Sequence, residues 1–229
     1  MTEFDAQLAR IGDLLPDVEE QEEQRSARIL SIFDGNEIED DSFESARRRS
    51  LDEARLLLWQ RRIPRKFHAA ATADFGPTVC RDLDEWAARP GGRNLVFFGP
   101  VGVGKSRAAI SACRPAHDSG LDVAFWPTAD LLDAMRPSDD RTLDVATVAD
   151  IDRLILDDVG VERPTDWTAE RLDAVINRRW MDDLATVATT NLEPEDLERR
   201  VGERTFSRLV GGAIVIRLSG TDRRRTHPT

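Results

Sequence analysis

Eight residues carry the spacing G-x-x-x-x-G-K-[ST]: Gly99, Pro100, Val101, Gly102, Val103, Gly104, Lys105 and Ser106. The chemistry of such a set is the cradling of phosphate oxygens. Glycines reach backbone angles that side chains forbid, so successive N–H groups turn inward. A helix opening directly behind the loop adds unsatisfied donors and a partial positive charge. Lys105 supplies a flexible point charge for β- and γ-phosphates. The Ser106 hydroxyl is an oxygen ligand suited to Mg2+. A second group, Asp157 and Asp158, ends the apolar run Leu154-Ile155-Leu156. A carboxylate at the C-terminal end of a parallel strand faces the crevice where nucleotides sit. Asp157 is thus the expected Mg2+ ligand with Ser106, through water. Asp158 is the candidate to orient or deprotonate an attacking water. A third polar strand end, Thr189-Thr190-Asn191, places an amide able to hydrogen-bond the γ-phosphate or the water. The set implies ATP and Mg2+ as cofactors.

These groups need a parallel sheet to bring them together. The run Asn94-Leu95-Val96-Phe97-Phe98 predicts a buried strand before the loop, and residues 107–112 open a helix after it. That helix is expected to reach about Cys113 and to be disturbed by Pro115. Strands are expected over 121–126, 153–158, 185–191 and 213–218, with helices over 129–135, 142–151, 165–180 and 203–210. Thr128 is the expected cap of the helix that follows it. Pro194-Glu195-Asp196 opens a further helix with proline first and acids in the first turn. Upstream, Ala46, Leu51, Ala54, Leu57 and Leu58 predict the apolar face of a helix over 43–60, broken at Ile63-Pro64. Alternating strand and helix patterns define an α/β class.

Composition narrows the functions available. The net charge of −11 is confined to one end: residues 1–45 hold 14 acids and 3 arginines, and the remainder holds 29 of each sign. An acidic arm disfavours phosphate backbones and suits a protein partner. Phe4, Leu8, Ile11 and Leu15 share one helical face within it. The expected division is an acidic, partner-binding helical arm over 1–45 and an ATPase domain over 46–229. No apolar run approaches the ~18 residues of a membrane span, and the acidic N-terminus lacks the order of a signal peptide. A cytoplasmic protein without membrane attachment is expected. Cys80 and Cys113 form no C-x-x-C pair and the three histidines are scattered, so no zinc site is expected. Only Lys66 and Lys105 are lysines, against 30 arginines.

The order of these motifs resembles the AAA+ ATPases of the DnaC/IstB type. The residues that carry the resemblance are IPRKF at 63–67, NLVFFGPVGVGKS at 94–106, LILDDVG at 154–160, ATTNL at 188–192, ERTFSRL at 203–209 and LSGTDRRR at 218–225. The resemblance implies a five-stranded parallel sheet of order 5-1-4-3-2 flanked by helices, with little or no helical lid. It implies that Asn191 is the sensor-1 residue and Arg224 the sensor-2 arginine. Arg208 becomes the arginine finger that reaches the ATP of a neighbouring copy, with Arg204 the second choice. Ile63 and Phe67 are placed near the adenine. Arg223 stands where the family usually has an aromatic residue.

Three functions follow from that resemblance. The first is a loader that uses ATP to place a hexameric DnaB-type replicative helicase on single-stranded DNA, self-associating on ATP binding and hydrolysing ATP in response to assembly and DNA. The second is a transposition helper ATPase that assembles on duplex DNA and stimulates a transposase; a more basic N-terminal part would favour it. The third is a nucleotide-bound adaptor with little hydrolysis, against which the set Asp157, Asp158, Asn191 and Arg208 argues.

Overall fold

The computed structural model describes residues 40–88, 91–137, 143–161 and 165–222. Most of the acidic arm and Arg224 lie outside the described residues. The chain divides after Arg62. Before that point stands helix α1 (Asp40–Arg62). It stops where Ile63-Pro64 must stop it, because proline disfavours helical angles in the residue before it. Leu51 and Leu57, two of the five residues of the expected apolar face, are 37% and 60% exposed. Helical spacing predicts the element here without saying what covers it.

After Arg62 the chain builds one parallel sheet. Its strands are β1 (Leu95–Phe98), β2 (Val123–Pro127), β3 (Arg153–Asp157), β4 (Thr186–Thr190) and β5 (Ile214–Arg217). The spatial order is β2-β3-β4-β1-β5, the expected 5-1-4-3-2 order seen from the other edge. All four pairings are parallel. Helices cover the faces: α2 (Pro77–Ala87), α3 (Lys105–Asp118), α4 (Thr128–Ala134), α5 (Val145–Ala149), α6 (Asp166–Met181), α7 (Pro194–Val201) and α8 (Glu203–Val210). Strands covered on both faces read as continuous apolar runs, and every residue of β1 is buried. No described helix is long and apolar enough to cross a membrane.

Two local expectations are corrected. Helix α3 continues past Pro115 to Asp118. A proline so close to the C-terminus removes a single helical hydrogen bond, and the following turn closes through Ser119 N to Pro115 O at 3.0 Å. Thr128 does not cap α4; it is the first residue of that helix, and its hydroxyl donates to the Asp157 carbonyl at 2.9 Å. The side chain thereby ties the end of β2 to the end of β3.

Arg179 fixes the opposite ends of the central strands. It is fully buried, donating to Thr186 Oγ1 and to the carbonyls of Ala149, Ile151, Asp152 and Ala185. Those carbonyls lie at the entries to β3 and β4. Burial, with Arg153 nearby, lowers its pKa to about 10, still far above neutrality. One planar cation thus bonds four backbone acceptors at once, two of them, on Ala149 and Ala185, in buried bonds.

Candidate nucleotide site

β1 delivers the chain to the loop at the C-terminal edge of the sheet. Gly99 has φ of 146°, and a Cβ there would lie 2.0 Å from the Leu218 carbonyl oxygen. Any side chain at 99 would push β5 off the loop. Gly102 has φ of 83° and faces the Asp222 carboxylate, whose Oδ1 would lie 2.0 Å from an added Cβ. Val103 is buried beneath the loop and Val101 is exposed at its tip. Gly104 precedes α3 in a left-handed conformation and accepts from Ala108 N at 2.9 Å. Lys105 is only 5% exposed. Its Nζ donates to Gly99 O at 2.9 Å, Pro100 O at 2.8 Å and Asn191 Oδ1 at 2.6 Å.

Strand order explains how the remaining groups meet the loop. β4 lies between β1 and β3, with Phe98 beside Thr190 and Leu156 beside Ala188. Residues at the ends of all three strands therefore share one edge. Ser106 Oγ donates to Asp157 Oδ2 at 3.0 Å, and Thr189 Oγ1 donates to Asp157 Oδ1 at 2.6 Å. The Thr189 hydroxyl also accepts from Asp158 N at 3.0 Å. Asn191 Nδ2 donates to Asp158 Oδ1 at 3.0 Å, while its oxygen holds Lys105. A closed circuit results, running from Ser106 through Asp157, Thr189, Asp158 and Asn191 back to Lys105. Asp158 sits at φ of 56°, a left-handed conformation that aspartate adopts more readily than most residues. It takes the chain off β3.

Burial pushes the Asp157 carboxyl above the usual carboxylate range, and the neighbouring Asp158 adds to that. Hydrogen bonds from Thr189 and Ser106 and the Lys105 charge oppose the rise. A desolvated carboxylate beside a hydroxyl is a hard-oxygen pair suited to a divalent cation. The described residues contain no cluster of three or more His, Cys, Asp or Glu side chains able to hold a metal. Mg2+ binds through one or two carboxylates, waters and substrate phosphates more than through a protein cage. Ser106 and Asp157 are the residues that would hold it.

Other expected site residues fall elsewhere. Ile63 is buried at 2% exposure, with its carbonyl held by His68 Nε2 at 2.8 Å. The Phe67 ring lies 6.1 Å from that of Phe125 on β2, with Lys66 Nζ 4.8 Å from its centre. Arg107, in the first turn of α3, donates to Asp74 Oδ2 and to the Ala69 carbonyl. The segment after Phe67 is thereby tied beside the loop helix. Arg208 lies apart, on α8 against α6, where its Nη1 is 3.1 Å from Asp173 Oδ1. Arg204, one turn earlier, is exposed. Asp222, two residues before Arg224, abuts the loop at Gly102.

The family model for the IstB-like ATP binding protein matches residues 47–225. The chain belongs to this family. Among curated proteins, a relative is the replicative helicase loader DnaC of Escherichia coli K12, 24% identical over 123 residues. That match takes in 51% of this chain and 49% of DnaC, so the chain spans about half the length of the curated relatives it matches. Among solved structures, the DnaC helicase loader superposes with a TM-score of 0.61 at 23% identity, covering 68% of this chain and 100% of that one. DnaI superposes with a TM-score of 0.62 at 18% identity, covering 71% and 94%. At such identities the likeness shows a shared AAA+ fold.

Three residues of this IstB-like chain escape a sequence reading. Thr189 holds both Asp157 and the Asp158 backbone. Its position two residues before Asn191, on the strand between the two motifs, was the available signal. Asp173 is a mid-helix polar residue in no motif, and Asn94 opens the loop motif with no role of its own read for it; their bonds to Arg208 come from the packing of α8 on α6 and β1.

Proposed function

We propose that this chain hydrolyses ATP in assemblies of more than one copy and acts as a loader of a replicative DnaB-type helicase onto single-stranded DNA. The observation that carries the ATPase reading is the circuit at the sheet edge, in which the loop lysine, both acids and the strand-end asparagine meet. In this reading the loop N–H groups and Lys105 hold the triphosphate, and Ser106 with Asp157 holds Mg2+. When bound, Mg2+ offsets negative charge on the phosphates. Asp158, held by Asn191, orients the attacking water and takes its proton, while Asn191 turns from Lys105 toward the γ-phosphate. Arg208 bonds to Asp173 and, through its carbonyl, to Asn94 at the start of β1, the end of that strand away from the loop; it has no bond into that circuit, which favours action on the site of a neighbouring copy. A trans arginine of this kind is worth about 10³–10⁵ in rate, so hydrolysis depends on assembly. Arg224 would act at the same site, as the family resemblance implies.

The loader role rests on the similarity to DnaC and on the acidic balance of residues 1–45, which suits a protein partner in the cytoplasm. The test is co-purification of the full chain from its host with ATP present. A replicative helicase is the expected companion, retained with the full chain and lost when residues 1–45 are deleted. Recovery of a transposase would overturn the loader reading in favour of a transposition helper. For catalysis, hydrolysis should rise with protein concentration and with single-stranded DNA; a rate per chain independent of both contradicts the assembly model.

A further inference from the structure

Arg208 does not project from α8 unsupported. Its Nη1 donates to Asp173 Oδ1 at 3.1 Å, and the same oxygen accepts from Thr205 Oγ1 at 2.9 Å. The guanidinium carbon lies 5.6 Å from the centre of the Trp180 ring. Asp173 and Trp180 are seven residues apart on α6, so they share one helical face. The backbone beneath Arg208 is also pinned. Asn94 Nδ2 donates to the carbonyls of Arg208 and Leu209 at 2.9 and 3.0 Å, and Asn94 Oδ1 accepts from Thr186 N at 2.8 Å.

Among the described residues, Arg208 spends only Nη1 on a hydrogen bond. Nε and Nη2 keep donors for an anion. A planar guanidinium gripped at one corner and laid on a ring presents its other edge in a set direction. Arg179, on the same helix α6, shows the contrast, with all three of its nitrogens committed to the interior. The side chain of Arg208 is 16% exposed, and its flank, Trp180 and Met181, is open to solvent.

We propose that Asp173 is a positioning residue for Arg208, holding the guanidinium on the Trp180 ring so that its remaining donors face the triphosphate bound by a neighbouring copy. The inference rests on the trans role of Arg208 given under Proposed function. Its physical basis is preorganisation. A long arginine loses rotamer freedom when it engages an anion, and a seat that fixes it beforehand removes that cost from the transition state.

The test is steady-state ATP hydrolysis by the full chain under assembling conditions, with thermal melts of each variant. Asp173→Asn should lower kcat about tenfold, the scale of one charge-assisted hydrogen bond, with KM for ATP unchanged. Asp173→Glu, which keeps the charge, should restore most of the rate. Adding Asp173→Asn to Arg208→Ala should cost nothing further, whereas a purely structural loss would persist in the double variant. If Asp173→Asn folds poorly, Trp180→Ala removes an exposed part of the seat and should lower kcat about threefold, again silently in the Arg208→Ala background. Wild-type or raised kcat in Asp173→Asn, or a further loss on top of Arg208→Ala, overturns the inference. Full turnover by Arg208→Ala brings down the trans reading, and this inference with it. Loss in Arg208→Ala with normal Asp173→Asn and Trp180→Ala brings down the seat alone.

Discussion

Two regions of the molecule treat charged side chains in opposite ways. At the sheet edge, Lys105, Asp157, Asp158 and Asn191 are drawn into one circuit from the ends of two strands and the loop. On the α6–α8 face, Arg208 is gripped by one carboxylate oxygen and rests on an exposed ring. The first arrangement closes on itself. The second commits one guanidinium nitrogen and leaves Nε and Nη2 without a hydrogen bond among the described residues. Among the described residues, Arg208 takes no part in the sheet-edge circuit and bonds only to Asp173 through its side chain. On the function proposed above, the two regions are half-sites that join when copies meet.

Variants should separate the two regions. Lys105→Ala should abolish ATP binding, at least a hundredfold loss in affinity by calorimetry or a fluorescent analogue, since the loop loses its one cation and Asn191 its partner. Arg208→Ala should bind ATP within about twofold of wild type and lose about 10³ in hydrolysis; equal loss of binding would erase the distinction between the regions. Arg179→Met probes the frame beneath both. It strands buried carbonyls at the entries to β3 and β4 and should cost about 3 kcal/mol, seen as a Tm lower by roughly 6–12 °C.

Thr189→Val is a finer probe of the circuit. It removes the hydroxyl shared by Asp157 and Asp158 N, and should cost about 1–2 kcal/mol of stability with roughly tenfold in hydrolysis. The smallest effect concerns pH. Burial raises the folded-state pKa of Asp157, so the folded chain holds that proton more tightly than the unfolded chain. Its contribution to stability is fully present below the unfolded pKa and is lost as pH rises through the raised one. Asp157→Asn, melted with a chelator present, should therefore match or exceed the wild-type Tm at neutral pH while losing Mg2+-dependent hydrolysis.

The sheet edge was legible because its residues obey local rules. The loop must follow a strand and open a helix, and two acids must end an apolar strand, so Gly99–Ser106 and Asp157 announce themselves within short windows. The strand order was accessible only through the family resemblance, since local periodicity names strands without ordering them. Thr189 was hidden because its value comes from lying between β1 and β3, a tertiary fact. Thr128 showed the cap residue type, yet the strand ran into the helix without a gap and its hydroxyl went to Asp157. Pro115 suggested a stop, but near a helix end it costs one bond. Asp173 and Asn94 matter through packing between elements far apart in sequence, which no window contains.

The central claim is that a site in one copy is completed by Arg208 of another. Mixing full-length Lys105→Ala, which keeps its arginine, with full-length Arg208→Ala, which keeps its phosphate loop, tests it directly. Each alone should hydrolyse ATP at about background. The account predicts that an equimolar mixture under assembling conditions recovers a substantial fraction of the wild-type rate, because hybrid contacts pair an intact loop with an intact arginine. A mixture no more active than the sum of its parts would contradict it.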